Sequence, residues 1–173
     1  PVKSCSTAGG AMKRSRGKLK LAHETDADLP WVTLEFGSCL GKARDLECRI
    51  LSECKLCHFG EQDLFAIKLA LEEALVNAVK HGNKLDPEKV VRIQYRVTRQ
   101  RLDVTVEDQG PGFSPAELRG RKNGENLELA CGRGILLMRA YMASVVFNPQ
   151  GNKVTLTKFN EEYAPPPATA LGY

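Results

Sequence analysis

Nowhere in its 173 positions does the chain hold a run of about 18 apolar residues, which excludes a transmembrane helix. No apolar segment follows the basic N-terminus, so a secretory signal is not expected and the reading is a soluble, cytoplasmic protein. No internal repeat is visible, which leaves one ordinary domain, large enough to bury a core of its own. The first twenty residues contain no acid, only Lys3, Lys13, Arg14, Arg16, Lys18 and Lys20, and the rest of the chain sets 19 basic against 21 acidic residues. The net charge of +4 therefore belongs to an arm, and the body is slightly acidic. The arm lacks interleaved aromatics or a recognition module, so no direct nucleic-acid binding is expected, and no membrane partner either.

Six cysteines stand at 5, 39, 48, 54, 57 and 131. Without an export signal they read as reduced thiols rather than a disulfide framework. Cys54-Lys55-Leu56-Cys57-His58 matches the c-type haem attachment pattern. It falls at the end of an amphipathic helix in a chain without a signal, and no second Cys-x-x-Cys or His-x-x-x-His completes a zinc site. Neither haem nor zinc is expected.

Residues 1–20 read as a disordered basic arm and residues 160–173, rich in Pro and Ala, as a flexible tail, with the folded domain between them at 21–159. Trp31 to Phe36 reads as a strand, followed by a helix over about 40–57 with Leu40, Ala43, Leu46, Ile50, Leu51 and Cys54 on one stripe. A second helix runs from about Glu61 to His81 and stops at Gly82-Asn83. The period then changes to two. Val91, Ile93, Tyr95 and Val97 form one half-buried strand, and Leu102, Val104 and Val106 a second, with Asp103 and Thr105 on the wet face. Gly134–Met142 is helical by pattern, and Val145–Phe147 with Lys153–Lys158 makes a last hairpin. The expected fold is α+β: a two-layer sandwich whose mostly antiparallel sheet is covered on one face by three helices.

On the second helix Leu64, Ile67, Leu71, Leu75 and Ala78 make the core stripe. Glu73, Asn77, Lys80 and His81 neighbour one another on the other side, with Ala66, Ala70 and Ala74 leaving room for something to approach. The plain reading is a solvated face. The functional reading is a row of carboxylate, amide, ammonium and imidazole, in which a carboxylate orients a hydroxyl and an amide oxygen is a hard ligand suited to Mg2+.

Two glycine boxes follow. Asp108 with Gly110 and Gly112 closes a strand; it is either a turn or a carboxylate placed to accept from an exocyclic amine, with bare backbone that lets a flat ring approach. Gly132-Arg133-Gly134 opens a helix, where exposed N–H groups suit a phosphate. Residues 114–131 between the boxes read as a mobile lid or an irregular connection.

In that order and spacing, the boxes EALVNAVKHG (73–82), EDQGPGF (107–113) and GRGILLMRAYM (132–142) resemble the GHKL ATPase superfamily, whose ATP-binding module is the Bergerat fold. The segment GNKVTLTK (151–158) looks like the terminal strand of its small bacterial branch, the anti-sigma factor serine/threonine kinases. The resemblance covers about 30–158. It implies that Asn77 holds the Mg2+ bridging the ATP phosphates, that Glu73 is the general base, and that Lys80 and His81 line the phosphate end. It implies that Asp108 accepts from the adenine amino group with Thr155 assisting through water, and that Gly110 and Gly112 pass close to the base. Gly132, Arg133 and Gly134 would close over the phosphates. In the lid, Arg119, Arg121 and Lys122 align with no motif.

The implied function is a protein serine/threonine kinase that phosphorylates a STAS-type anti-anti-sigma protein and competes for a sigma factor, in a partner switch regulating transcription. Dimers are usual in that family. Two alternatives remain: a nucleotide-gated binding module with little or no transfer, and the ATPase domain of a histidine kinase.

Overall fold

The computed structural model describes residues 29–114 and 130–163. Residues 1–28, 115–129 and 164–173 lie outside that range, and with them the expected basic arm, most of the 114–131 stretch expected as a lid or irregular connection, and most of the expected tail. The element order is β1 (Val32–Gly37), α1 (Leu40–Leu56), α2 (Glu61–Val76), a π-helical segment (Asn77–Gly82), β2 (Val90–Val97), β3 (Arg101–Glu107), α3 (Ala130–Tyr141), β4 (Ser144–Phe147) and β5 (Lys153–Phe159). The strands form one sheet in the order β1-β2-β3-β5-β4, and every neighbouring pair is antiparallel. The helices cover one face, and the expected two-layer α+β sandwich is the fold observed.

The period-two pattern decides which face is inside. Val91, Ile93 and Tyr95 of β2, Leu102 and Val104 of β3 and Leu156 of β5 are fully enclosed, and Ile50, Ile67, Leu71, Leu75 and Met138 meet them from the helices. Each such side chain contributes about 1.5–3 kcal/mol relative to exposure. The phenol of Tyr95 reaches through this layer to donate to Glu53 Oε1 at 2.7 Å, and burial, with the Glu53 carboxylate beside it, holds its proton on well beyond the usual phenol range.

Four expectations are corrected. Leu40 is exposed rather than part of the α1 stripe, because it is the first residue of the helix and lies beyond the layer it packs on. The outer face of the sheet is wet only in part: Asp103 and Thr105 are buried. They sit on β3, the middle strand, where Asp103 accepts from Arg96 Nη2 at 3.3 Å, Arg101 Nε at 2.9 Å and Thr157 Oγ1 at 3.0 Å. The alanines of α2 leave room only in part: Ala66, Ala70 and Ala74 are buried and α3 packs on α2, while Ala66 and Ala74 each border a cavity and Ala70 borders neither. Finally, Asn160 to Tyr163 are tied into the domain rather than loose. Asn160 Nδ2 donates to Arg99 O at 2.8 Å, and the Glu161 N–H donates to Asp63 Oδ2 at 2.9 Å.

The Cys-x-x-Cys-His sequence turns out to be the end of α1. Cys54 points into the core, where burial first and the neighbouring Cys57 second push its thiol far above the ordinary range. His58 takes the left-handed conformation (φ 62°) that ends the helix.

Candidate nucleotide site

The site forms where the end of α2 meets the end of β3. A regular α-helix would carry the Glu73–Asn77 row on to Lys80 and His81, but the helix widens into a π turn at Asn77. More residues per turn rotate the side chains out of the α register, and such π segments are frequent at functional sites. Ala78 and Val79 are buried, while Lys80 and His81 are exposed. The π segment also brings the backbone of Gly82 under the β3 terminus.

There, Asp108 follows β3 directly. Its N–H donates to Asn152 O at 2.9 Å, and its carbonyl accepts from Asn152 Nδ2 at 3.0 Å. Its carboxylate accepts the Gly110 N–H at 2.8 Å through Oδ1. The rest of the carboxylate lies against Gly82, so closely that a β-carbon on Gly82 would occupy its place. Gly110 is pinned in the same way against Gly82 O. Burial holds the Asp108 carboxyl above the usual carboxylate range, with the Gly110 N–H and Lys89 opposing the shift.

Two interlocked turns complete this end. Gly112 (φ 74°) and Gly151 (φ 78°) both adopt the left-handed conformation, and each backbone packs on the other turn where a side chain could not fit. Phe113 donates its N–H to Gln150 O at 3.0 Å, and its ring meets Phe147 edge-on with centroids 5.1 Å apart.

Between α2, α3 and the sheet lies a cavity of about 100 Å³. Ala74, Ala78, Val106, Ile135, Met138 and Val154 form apolar walls, and Asn77, His81, Asp108, Asn152 and Lys153 supply polar groups. At the α3 side Gly134 sits against Glu73 and Asn77: a β-carbon there would overlap Glu73 Oε2 and come within 3.5 Å of Asn77 Nδ2. Among the described residues no three His, Cys, Asp or Glu side chains converge as a metal-holding group.

Of the residues singled out from the sequence, the structure brings Glu73, Asn77 and Gly134 together at one end and Asp108, Gly110 and Gly112 at the other. His81 borders the cavity, whereas Lys80 does not line it. Gly132 and Arg133 lie in the first turn of α3 rather than ahead of it, because the helix begins at Ala130. Thr155 is misplaced by the sequence reading. It pairs with Thr105, Oγ1 to Oγ1 at 3.1 Å, on the opposite face of the sheet from the cavity-lining Val106 and Val154. The residue beside Asp108 is Asn152, which the sequence places in the last hairpin and in the terminal segment 151–158 without marking it as a site residue. Gly82 is a helix stop and the last residue of the first box in the sequence, and Asn83 only a helix stop. Their contacts to Asp108 and Gln109 span 26 residues, and no local pattern carries them.

The family model described as the histidine kinase-like ATPase domain matches residues 44–158. A serine-protein kinase RsbW of Listeria innocua is 29% identical over 114 residues, covering 60% of this chain and 71% of that protein. An anti-sigma F factor of Clostridium perfringens strain SM101 is 34% identical over 96 residues, covering 54% of this chain and 69% of that protein. The crystal structure of the RsbU and RsbW domains of Rv1364c from Mycobacterium tuberculosis superposes with a TM-score of 0.51 at 15% identity. That match covers 76% of this chain but 32% of the longer one, and it speaks for the fold alone.

Proposed function

The chain belongs to the family of histidine kinase-like ATPase domains, and from that membership we propose that it binds Mg·ATP and phosphorylates serine or threonine on a STAS-type anti-anti-sigma protein. The observation that carries the nucleotide assignment is the position of Asp108. One carboxylate sits at the end of an apolar cleft, against bare glycine backbone, where it can accept from the amine of a flat heterocycle. Apolar walls with few polar groups are the usual form of such a site.

The other end fits a polyphosphate and its metal. Asn77 offers an amide oxygen, a hard ligand without charge. When bound, Mg2+ supplies charge neutralisation between the phosphates. Gly134 keeps the α3 backbone close to Glu73 and Asn77, which favours the first-turn N–H groups of α3, with Gly132 and Arg133, as donors to the phosphates. His81 and, further out, Lys80 add donors at the rim. Glu73 is the general base: it orients the attacking hydroxyl of the protein substrate and takes its proton as the phosphoryl group transfers. Asp108 and Asn152 hold the base end, with Gly110 and Gly112 under the ring.

A sigma factor is the second partner, and phosphorylation of the anti-anti-sigma protein frees this chain to hold it. A phosphate adds about −1.5 to −2 charges to the interface, enough to release that partner. The name anti-sigma F factor of one relative leaves room for a second reading, a nucleotide-gated binder without transfer. Glu73→Ala separates the two. The kinase reading expects the variant to keep Mg·ADP affinity while losing transfer of acid-stable phosphate to the protein substrate by 100-fold or more, about 2.7 kcal/mol of barrier. A wild type without transfer, and a variant that still regulates its partner, would favour the binder.

A further inference from the structure

Asn83 is fully buried, does not line the cavity, and spends its whole side chain on hydrogen bonds. Nδ2 donates to Ser38 Oγ at 2.8 Å and to Val90 O at 3.0 Å, and Oδ1 accepts the Gln109 N–H at 2.8 Å. Its own N–H donates to Ala78 O at 2.8 Å, anchoring it to the π segment. The Val90 N–H in turn donates to Gln109 Oε1 at 2.8 Å. Asn83, Val90 and Gln109 thus close a ring that grips Gln109 by both its backbone and its side chain. Gln109 is the residue between Asp108 and Gly110, whose own hydrogen bond shapes the carboxylate turn.

We propose that Asn83 is a positioning residue for the base end of the nucleotide site. It fixes the Gln109 peptide, and through it the height of the Asp108 carboxylate over Gly82. The inference rests on the nucleotide reading above and names a determinant of base selectivity within it. Asn152 holds Asp108 from the β5 side, so the carboxylate is set between two asparagines. The chemistry requires an amide at position 83. Two acceptors and one donor converge on this fully buried side chain, and a planar carboxamide answers all three. An aspartate would turn oxygen toward the Val90 carbonyl, and an alanine would take this partner from the Val90 carbonyl and the Gln109 N–H, both partly buried.

Selectivity is the readout that a purely structural role would not move. An amine on the ring donates to Asp108, whereas guanine in the same orientation presents a carbonyl and is repelled. The test measures Kd for Mg·ADP and Mg·GDP by calorimetry in the wild type, Asn83→Ala and Gln109→Ala, with Asp103→Ala as a variant destabilised on the far face of the sheet. Amide exchange at Gln109 is followed in parallel.

The expected result is a loss of ADP-over-GDP preference of tenfold or more in Asn83→Ala and severalfold in Gln109→Ala. Gln109 N–H exchange accelerates, and Asp103→Ala keeps the wild-type preference. Gln109 is an exposed side chain, so its variant carries the test if Asn83→Ala does not fold. A wild type that prefers ADP, with an Asn83→Ala or Gln109→Ala variant that prefers it equally, overturns the positioning role alone. A wild type that binds neither nucleotide overturns the nucleotide reading and this inference with it.

Discussion

The Asp108 carboxylate rests directly on the backbone of Gly82, two residues brought together by a π turn at the end of one helix and the terminus of the central strand. No side chain of any size fits between them. Gly82→Ala should displace the carboxylate, with a strain cost of about 1–3 kcal/mol, as overpacking typically brings. The expected outcome is a tenfold or greater loss of Mg·ADP affinity, with a lower denaturant midpoint. Calorimetry and chemical denaturation check the two parts.

Acidification should weaken nucleotide binding earlier than an ordinary carboxylate would. Burial raises the folded-state pKa of Asp108 above 3.8. The charged form that an adenine amine needs is therefore lost as pH falls through that raised value. Stability moves the other way. Burying the charge penalises the folded state at all pH values above the folded pKa, and the penalty fades as pH falls toward the unfolded value. Asp108→Asn should thus unfold at a higher temperature than the wild type near neutral pH, with the gain disappearing near pH 4 (about the unperturbed carboxylate pKa). Kd measured at several pH values, beside melting curves of both proteins, checks both signs.

At the other end of the cleft, Gly134 touches Glu73 and Asn77. A methyl group there pushes the Glu73 carboxylate out of place, while it only touches Asn77 at ordinary contact distance and leaves the Asp108 turn untouched. Gly134→Ala is expected to reduce phosphotransfer at least tenfold and to change Mg·ADP affinity by less than threefold. Single-turnover transfer and calorimetry on the same preparation separate these effects.

On the outer face, Asp103 gathers Arg96, Arg101 and Thr157. Its side chain is 10% exposed and that of Arg96 12%, so removing the carboxylate breaks a largely buried ion pair. Asp103→Ala should cost about 3–5 kcal/mol of stability and leave nucleotide affinity unchanged, because the network lies across the sheet from the cavity. A urea titration and the ADP isotherm check this.

Much of this architecture was readable in the chain. The change of period from 3.6 to 2 after Gly82 marked the helix-to-strand switch, and the apolar alternation of Val91, Ile93 and Tyr95 named the core face. The order and spacing of the three boxes pointed to the family. What could not be read were contacts made across the fold. Thr155 and Asn152 lie three residues apart on one segment, and only strand register decides which of them faces the cleft. Asp103 looked solvent-facing because alternation reports the face but not how deep a strand lies within the sheet. Lys80 follows the site row by α-helical arithmetic, which the π turn breaks, and of the pair only His81 borders the cavity. Asn83 had the signature of a helix stop, and its role comes from partners 7, 26 and 45 residues away.

The central claim is that the cleft beside Asp108 binds an adenine nucleotide, and titration of Mg·ADP into the wild type and Asp108→Asn tests it most directly. The account predicts a micromolar Kd, about −8 kcal/mol, weakened 100-fold or more in a variant that melts no lower than the wild type. A wild type without measurable binding, or a variant that binds as tightly, would contradict it.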